Sequence, residues 1–325
     1  MFARACFVIV TLLTAVTSVV PAAQAQVYPT KPIRMLVGFP PGGTSDIVAR
    51  ALGERLTLAL EQQIVVDNRA GASGNIAAEL AAKASPDGYV MLLSSGSYAV
   101  APSLNPRLGY DVERDFVHVT RFADVPFMLA VPAALPVNTV AELVVLAKAR
   151  PGERNFASSG LGTPAHLAGE LFKQVTGANV VHVPYKGTAP ALVDLVAGRV
   201  QLYFTSFPGA LTHVQGGRLR AIAVTRGARS GILPQVPTLT EAGVPGYQAG
   251  SWYGVSLPAR TPREVVERLQ AEIQRALRDA GVIARLTDQG LDAVPGVTPG
   301  EFARFVREER QRWARVIERA GMLAR

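Results

Sequence analysis

The stretch IRMLVGFPPGGTSDIVARAL (residues 33–52) decides the fold. A short, mainly apolar segment, Ile33 to Val37, leads through two prolines and two glycines into a segment with apolar residues at a three-to-four spacing. This pattern predicts a buried strand, a tight turn and an amphipathic helix. The same unit recurs along the chain, which is typical of an α/β protein with mostly parallel strands.

The first 25 residues have the features of a cleavable signal peptide. Arg4 supplies a positive start, residues 5–20 are apolar apart from Thr and Ser, and Ala23 to Ala25 has the small-x-small pattern of a cleavage site. Such an apolar run is short for a membrane span. We expect the mature protein to begin at Gln26 and to leave the cytoplasm.

Cysteine and histidine usage argues against a metal centre, a cofactor or a nucleophilic enzyme. The one cysteine, Cys6, lies inside the apolar run and not at the cleavage site, so we expect no lipid anchor, disulfide or thiol nucleophile. The four histidines form no HExxH motif, and the chain has no Gly-x-Ser-x-Gly motif. We therefore predict no metal, no cofactor and no enzymatic activity.

The charge distribution argues against nucleic acid as a partner. The formal net charge is +8, but the arginines near the C-terminus alternate with glutamates, as in residues 304–312. Such interleaving is typical of a solvated helix face and not of a phosphate-tracking surface. The positive balance can steer small anions towards the protein. Nothing in the composition demands more than a monomer.

The repeated units suggest two lobes. The segments at residues 127–149 and 251–277 share a rhythm of strand, proline turn and helix, which we interpret as two crossings between lobes. We predict that residues 26–124 begin lobe 1, that residues 125–227 form lobe 2, and that residues 228–325 return to lobe 1 with C-terminal helices. Residues 115–131 are predicted as two short strands with a break near Asp124.

Three glycine-rich turns each follow a strand and begin a helix. They are VGFPPGGTSD (residues 37–46), SSGLGTPAH (residues 158–166) and PYKGTAP (residues 184–190). Free N–H groups and the positive end of the helix dipole favour an oxyanion at such a position. The turn at residues 37–46 lacks both the Walker Gly-Lys-Ser/Thr pattern and the Gly-x-Gly-x-x-Gly dinucleotide fingerprint.

These turns are predicted to line one cleft with neutral donors. Open α/β sheets place ligands at the carboxyl ends of their strands, and the turns fall there together with SSGS (residues 94–97) and TSF (residues 205–207). Each turn taken alone could also be a packing feature. Asp46 could cap its own helix, His166 could be a capping or packing histidine, and Lys186 could be a solvated surface group.

Several long segments together resemble the Bug family of periplasmic solute receptors, the extracytoplasmic component of tripartite tricarboxylate transporters. They are YPTKPIRMLVGFPPGGTSDIVAR, VVDNRAGASGNIAAE, SPDGYVMLL, NFASSGLGTPAHLAGELFK, VHVPYKGTAPALVDLVAGRV and VPTLTEAGVPGY. The resemblance covers nearly the whole mature chain. It implies a type II periplasmic-binding-protein fold, in which two α/β lobes joined by a hinge close on a ligand in the cleft between them.

The resemblance also implies that backbone amides, small hydroxyls and ordered waters hold a ligand carboxylate. The ligand-binding residues expected on this basis are Phe39, Gly43, Thr44, Asp46, Ser95, Ser97, Ser158, Ser159, Gly162, Thr163, His166, Tyr185, Lys186, Gly187, Thr188, Thr205 and Ser206. Thr205 and Ser206 stand where the family usually has Asp-Asn, which disfavours an amino-acid ligand. Leu161 stands where Asn is frequent, which predicts a more apolar wall suited to an aromatic or branched carboxylate.

The function implied by the resemblance is a periplasmic receptor that captures a small organic acid and delivers it to membrane permease subunits. A periplasmic sensor that presents its bound state to a membrane kinase would use the same cleft and is the alternative. An enzyme using Ser158 or His166 ranks third, because no nucleophile, base and orienting group occur together in the sequence.

Overall fold

The structure, a computed structural model, describes residues 28–323, so the predicted signal peptide and Gln26 lie outside the described residues. The first half of the chain contains β1 (Ile33–Val37), α1 (Thr44–Leu60), β2 (Ile64–Asn68), α2 (Asn75–Ala82), β3 (Val90–Ser95), α3 (Gly96–Leu104), β4 (Phe116–Pro132), α4 (Val140–Ala149) and β5 (Arg154–Ser158). The second half contains α5 (Pro164–Thr176), β6 (Val180–Pro184), α6 (Thr188–Val196), β7 (Leu202–Ser206), α7 (Phe207–Gln215), β8 (Leu219–Val224), β9 (Gly250–Pro258), α8 (Arg263–Ala276), α9 (Ala280–Asp288), β10 (Asp292–Ala293) and α10 (Pro299–Arg319).

One long strand, β4, joins two groups of strands. The first group contains β2, β1, β3 and β9, and the second contains β7, β5, β6 and β8. The order across the sheet is β2-β1-β3-β9-β4-β7-β5-β6, with β8 and β10 also paired to β4. The first part of β4, up to Pro126, pairs with β9, and the part from Phe127 onward pairs with β7 and β8. Helices cover both groups, so the chain has the two-lobed α/β architecture that the sequence predicts. The prediction of mostly parallel strands is wrong, because β4 and β9 pair antiparallel with every partner they have.

The predicted break near Asp124 is wrong. The chain continues through Asp124 as a single strand, because β9 runs antiparallel beside it and pairs Asp124 with Trp252 and Pro126 with Gly250. What changes at this point is the partner and not the strand. Gly250 allows the close approach, since an added Cβ there would lie 2.9 Å from the Val125 carbonyl oxygen.

The segment between β8 and β9 packs on the second group of strands. Thr238 bridges to Val224, and the Tyr247 hydroxyl donates to the Ala168 carbonyl at 2.6 Å. The Tyr247 ring also stacks on Phe204, with ring centroids 5.7 Å apart. The lobe boundaries remain a prediction, but these contacts favour a return to lobe 1 at residue 250 over residue 228.

Helix α3 has no counterpart in the sequence prediction. Its first six residues are all buried, so its sequence lacks the alternation of apolar and polar positions that reveals a surface helix. It packs under α10, whose N-terminus carries a reciprocal Thr298–Glu301 capping box. In the part of the chain that the structure describes, no helix combines the length and apolar character of a membrane span.

The contact between α10 and β9 depends on Gly254. An added Cβ would lie 2.2 Å from Cζ of the fully buried Phe302 and 2.9 Å from the Thr120 carbonyl oxygen. Phe302 in turn packs edge-on against Trp252, with ring centroids 5.3 Å apart. No side chain fits between the strand and this ring without moving one of them.

We therefore expect Gly254→Ala to lower the free energy of unfolding by about 1–3 kcal/mol through overpacking. Urea denaturation of the purified protein measures the change. Gly227→Ala is the matched control, because an added Cβ there meets nothing within 4 Å. Equal stability of the two variants would contradict the packing described for α10.

Candidate functional site

Five helices begin at the wall of one cavity between the two groups of strands. They are α1, α3, α5, α6 and α7, and the cavity encloses about 640 Å³ including its open mouth. Its polar wall comprises Thr44, Ser45, Ser95, Ser97, Ser159, Thr188, Tyr203, Ser206, Ser251 and Tyr253, with Gly43 and Gly187 between them. Its apolar wall comprises Phe39, Pro40, Pro41, Val125, Phe127, Pro164, Ala165, Ala189, Pro190 and Phe204.

The wall carries no formal charge. Within residues 28–323, no Asp, Glu, His, Lys or Arg side chain lines this cavity, and no group of three or more potential metal ligands occurs. An anion placed here would meet only hydroxyl groups and main-chain N–H groups. The first turns of helices supply such N–H groups together with the positive end of the helix dipole.

The first turns at the cavity keep their N–H groups free of side-chain caps. Among the described residues, none of these five helices has an N-cap side chain that accepts a hydrogen bond from its first turn. By contrast, α4, α9 and α10 begin elsewhere and are capped by Thr139, Asp279 and Thr298, although α2 and α8 also lack caps. The donors that a capping side chain would occupy are therefore available to a ligand.

Hydroxyl groups connect the two sides of the cavity. Thr44 Oγ1 on α1 lies 2.6 Å from Ser206 Oγ at the end of β7. Ser73 Oγ donates across the gap to the Leu161 carbonyl at 2.7 Å. The two groups of strands thus stand in a closed arrangement, with polar contacts that bridge the cleft.

Two buried tyrosines add donors from the strands. The Tyr253 hydroxyl lies 2.9 Å from Ser45 Oγ, and the Tyr203 hydroxyl lies close to the hydroxyls of Ser159, Thr188 and Thr205. Burial raises the pKa of Tyr253 to about 12 and also raises the pKa of Tyr203. Both phenols therefore stay protonated at neutral pH and keep a proton to donate.

Sequence reasoning missed these tyrosines together with Ser45 and Ser251. The prediction that Thr205 and Ser206 belong to the site already indicates the end of β7, and Tyr203 lies on that strand. For Tyr253, no comparable signal exists in the sequence, because it is the pairing of β9 with β3 and β4 that brings it to the cavity.

About half of the predicted site residues line the cavity. These are Phe39, Gly43, Thr44, Ser95, Ser97, Ser159, Gly187, Thr188 and Ser206. The structure places the others behind or beside the wall: Asp46, Ser158, Gly162, Thr163, His166, Tyr185, Lys186 and Thr205.

Asp46 stabilises the glycine-rich turn at residues 37–46 from outside the cavity. Its carboxylate accepts a hydrogen bond from the Gly42 N–H at 3.0 Å and from Arg50 Nε at 3.0 Å. Burial by itself would raise the pKa of this carboxyl, but the hydrogen bonds from Arg50 and Gly42 outweigh it and hold the pKa below its usual value. The carboxylate is therefore ionised, and its charge is balanced by Arg50.

The glycine-rich turn at residues 158–166 is stabilised by hydrogen bonds from its own side chains. Ser158 Oγ donates to the Gly160 carbonyl at 2.9 Å, and Thr163 Oγ1 donates to the same carbonyl at 2.8 Å. The Gly162 N–H donates to His166 Nδ1 at 3.0 Å. Ser158, Gly162, Thr163 and His166 thus position the turn, while Ser159 reaches the cavity.

The remaining predicted residues also point away from the cavity. The Tyr185 hydroxyl donates to Asp194 at 2.7 Å, Lys186 is exposed, and Thr205 lies buried behind Tyr203. The prediction that Leu161 makes one wall more apolar is wrong. Leu161 is 61% exposed and is absent from the wall, because its carbonyl is directed inward to Ser73 Oγ while its side chain faces outward.

One serine–histidine pair has the distance of a nucleophile and its base. Ser158 Oγ lies 2.6 Å from His182 Nε2. Ser158 has no exposed surface and also hydrogen-bonds to the Gly160 backbone, so a substrate cannot reach its hydroxyl. The pair holds the turn in place and lacks the access that nucleophilic catalysis requires.

His182 stacks on His166 beneath the turn, with ring centroids 3.6 Å apart. Burial is the main cause that lowers the pKa of His166 to about 3 and that of His182 to about 4. The charge of Lys173 lowers both pKa values further, and His182 adds to the effect on His166. Both rings are neutral at physiological pH, so neither supplies positive charge to the cavity.

Comparisons with known proteins point to one family. A family model described as the tripartite tricarboxylate transporter family receptor, TctC, matches residues 48–322. Protein BugT of Bordetella pertussis is 40% identical to this chain over 315 residues, which is 96% of each protein.

Two solved structures with bound acids are similar to the present one. R. palustris Rpa4515 with adipate has a TM-score of 0.88 at 39% identity, covering 90% of this chain and 98% of its own. MatC (Rpa3494) from Rhodopseudomonas palustris with bound malate has a TM-score of 0.84 at 31% identity, covering 89% of this chain and 100% of its own.

The stacked histidines lead to a pH prediction. We expect the ring resonances of His166 and His182 to stay at their neutral positions between pH 7 and pH 5 in an NMR titration. In the unfolded chain the same rings titrate near pH 6.5, so the free energy of unfolding should fall as the pH drops below 6.5 towards 4. Titration of either ring near pH 6.5 in the folded protein would contradict its burial.

Proposed function

We propose, since this chain belongs to the TctC family of tripartite tricarboxylate transporter receptors, that it binds a small dicarboxylate in the cleft and delivers it to membrane permease subunits. The predicted resemblance to the Bug family is confirmed by the likeness to BugT over 96% of the chain. Receptors of this family work in the periplasm. A signal peptide over residues 1–25 would bring the chain there.

The observation that carries the proposal is the convergence of five uncapped helix starts on a cavity without charged side chains. An anion taken from water must recover its lost hydration through hydrogen bonds. Main-chain N–H groups and hydroxyls provide these without the cost of burying a second charge. Such a site suits a receptor that must also release its ligand.

A dicarboxylate fits the distribution of polar and apolar groups. Donors lie on both sides of the cleft, with Thr44 and Ser97 on one side and Ser159 and Thr188 on the other. Apolar groups such as Phe204 lie between them and can contact a short carbon chain. The bound adipate and malate of two similar receptors are both dicarboxylates.

An amino acid fits less well. Its ammonium group needs an anionic partner, and within residues 28–323 no carboxylate lines the cavity. Thr205 and Ser206 stand where the family usually has Asp-Asn, and neither of them carries a charge. The ligand we propose therefore carries negative charge only.

Capture would proceed by closure of the lobes around the middle of β4, where its pairing with β9 ends at Pro126 and its pairing with β7 begins at Phe127. Thr44 and Ser206 approach each other directly across the cleft, so a ligand that accepts hydrogen bonds from both sides stabilises the closed state over the open one. We propose that residues 26–124 and the C-terminal part of the chain form one lobe and that the residues between them form the other.

We also propose that the protein is not an enzyme. The matching family is described as a receptor, and the nearest approach to a catalytic pair, Ser158 and His182, is closed to substrate.

Titration calorimetry with adipate, malate, glutamate and leucine tests the proposal. We expect at least one of the two dicarboxylates to bind and both amino acids to bind at least about a hundredfold more weakly, because an ammonium group loses hydration without gaining a partner. Tyr203→Phe removes one buried hydroxyl and should weaken dicarboxylate binding about tenfold, the usual effect of losing a hydrogen bond to a charged group.

Tyr247→Phe is the matched control. It removes a buried hydroxyl that donates to the Ala168 carbonyl outside the cavity, so it should leave the affinity unchanged. Tight binding of an amino acid, or equal dicarboxylate affinity for Tyr203→Phe and wild type, would contradict the proposed ligand site.

A further inference from the structure

A second cavity lies behind the helix that opens the cleft. It is formed by α1, the end of α8 and α9, and we call it the α1–α9 pocket, defined by Ile47, Ala51, Arg55, Phe122, Val282 and Leu286. It encloses about 720 Å³ including its mouth, a size comparable to that of the cleft. The two cavities lie on different faces of α1, since Thr44 and Ser45 face the cleft and Ile47 and Ala51 face the pocket.

The interior of the α1–α9 pocket is apolar. Val48 and Phe122 are almost fully buried at its floor, and Leu286 closes one side. An apolar ligand seated here would gain dispersion contacts with these side chains and remove their apolar surface from water.

Positive charge lies at the edge of this apolar space. Arg55 and Arg285 both line the α1–α9 pocket. Glu54 pairs with Arg285, with 3.0 Å between Arg285 Nη1 and Glu54 Oε2. Within residues 28–323, Arg55 Nε is buried without a hydrogen-bond partner. A buried donor of this kind is costly unless an acceptor reaches it, and a carboxylate is the acceptor that matches a guanidinium best.

We propose that the α1–α9 pocket binds an amphiphilic monocarboxylate, with its hydrocarbon chain or ring against Val48, Phe122 and Leu286 and its carboxylate on Arg55. This ligand differs in three respects from the dicarboxylate proposed for the cleft. It has one anionic end and a larger apolar body, and it is held by a charged side chain. The site does not depend on the proposed cleft function.

Binding of octanoate and of octan-1-ol, followed by titration calorimetry on the full mature protein, tests the proposal. We expect octanoate to bind, and Arg55→Gln to weaken octanoate binding about tenfold without changing binding of octan-1-ol. Ala51→Phe should fill the pocket and abolish binding of both compounds. Arg278→Gln makes the same change of charge at a nearby exposed position outside the pocket, and should behave as wild type.

Three outcomes would overturn the proposal. They are failure of octanoate to bind wild type, equal octanoate affinity for Arg55→Gln and Arg278→Gln, and loss of octanoate binding in the cleft variant Tyr203→Phe. The last outcome would place octanoate in the cleft. If Ala51→Phe fails to fold, as circular dichroism would show, the comparison of Arg55→Gln with Arg278→Gln still decides. Dicarboxylate binding measured on the same variants tests the cleft separately.

Discussion

Within the described residues, no charged side chain lines the cavity wall. The negative charge of a small anion in the cleft can therefore be stabilised only by the dipoles of hydroxyl groups, main-chain N–H groups and helix N-termini. This constraint accounts for features that would otherwise be unconnected. Five helices begin at the same cavity without side-chain caps, and glycines at positions 43 and 187 keep main-chain N–H groups close to the space. Asp46 and His166, which could carry charge, are turned away and used to shape the turns.

The fold brings these dipoles together through one long strand, β4. β4 pairs with one group of strands up to Pro126 and with the other group from Phe127 onward. The helices of both groups therefore begin near the point where the partner of β4 changes. A strand shared by both groups leaves each group with its own packed core on either side of Pro126. The hydroxyl contact between Thr44 and Ser206 is the point at which the two sides meet most directly.

Much of the fold could be predicted from the sequence, because glycine and proline turns separate segments in which apolar residues recur at the spacing of a helix or a strand. The prediction failed where tertiary contacts override local pattern. Helix α3 is buried on all sides over its first turns, and β4 continues through a predicted break because β9 supports it.

Less of the candidate site than of the fold could be predicted from the sequence. Its turns could be located from the sequence, but the direction of each side chain within a turn could not. In the second turn, Gly160 and Gly162 both adopt positive φ, and this path turns Ser159 to the cavity while Ser158 and Thr163 bond inward and Leu161 faces solvent. Tyr253 reaches the cavity through strand pairing, which a single sequence does not reveal.

A crystal structure of the protein with a dicarboxylate bound is the most direct measurement of how the anion is held. We expect the carboxylate oxygens to lie within hydrogen-bonding distance of main-chain N–H groups in the first turns and of hydroxyls such as those of Thr44 and Thr188, with donors from both lobes. Carboxylate oxygens held by an arginine, a lysine or a metal ion, or a ligand seated outside this cleft, would contradict that expectation.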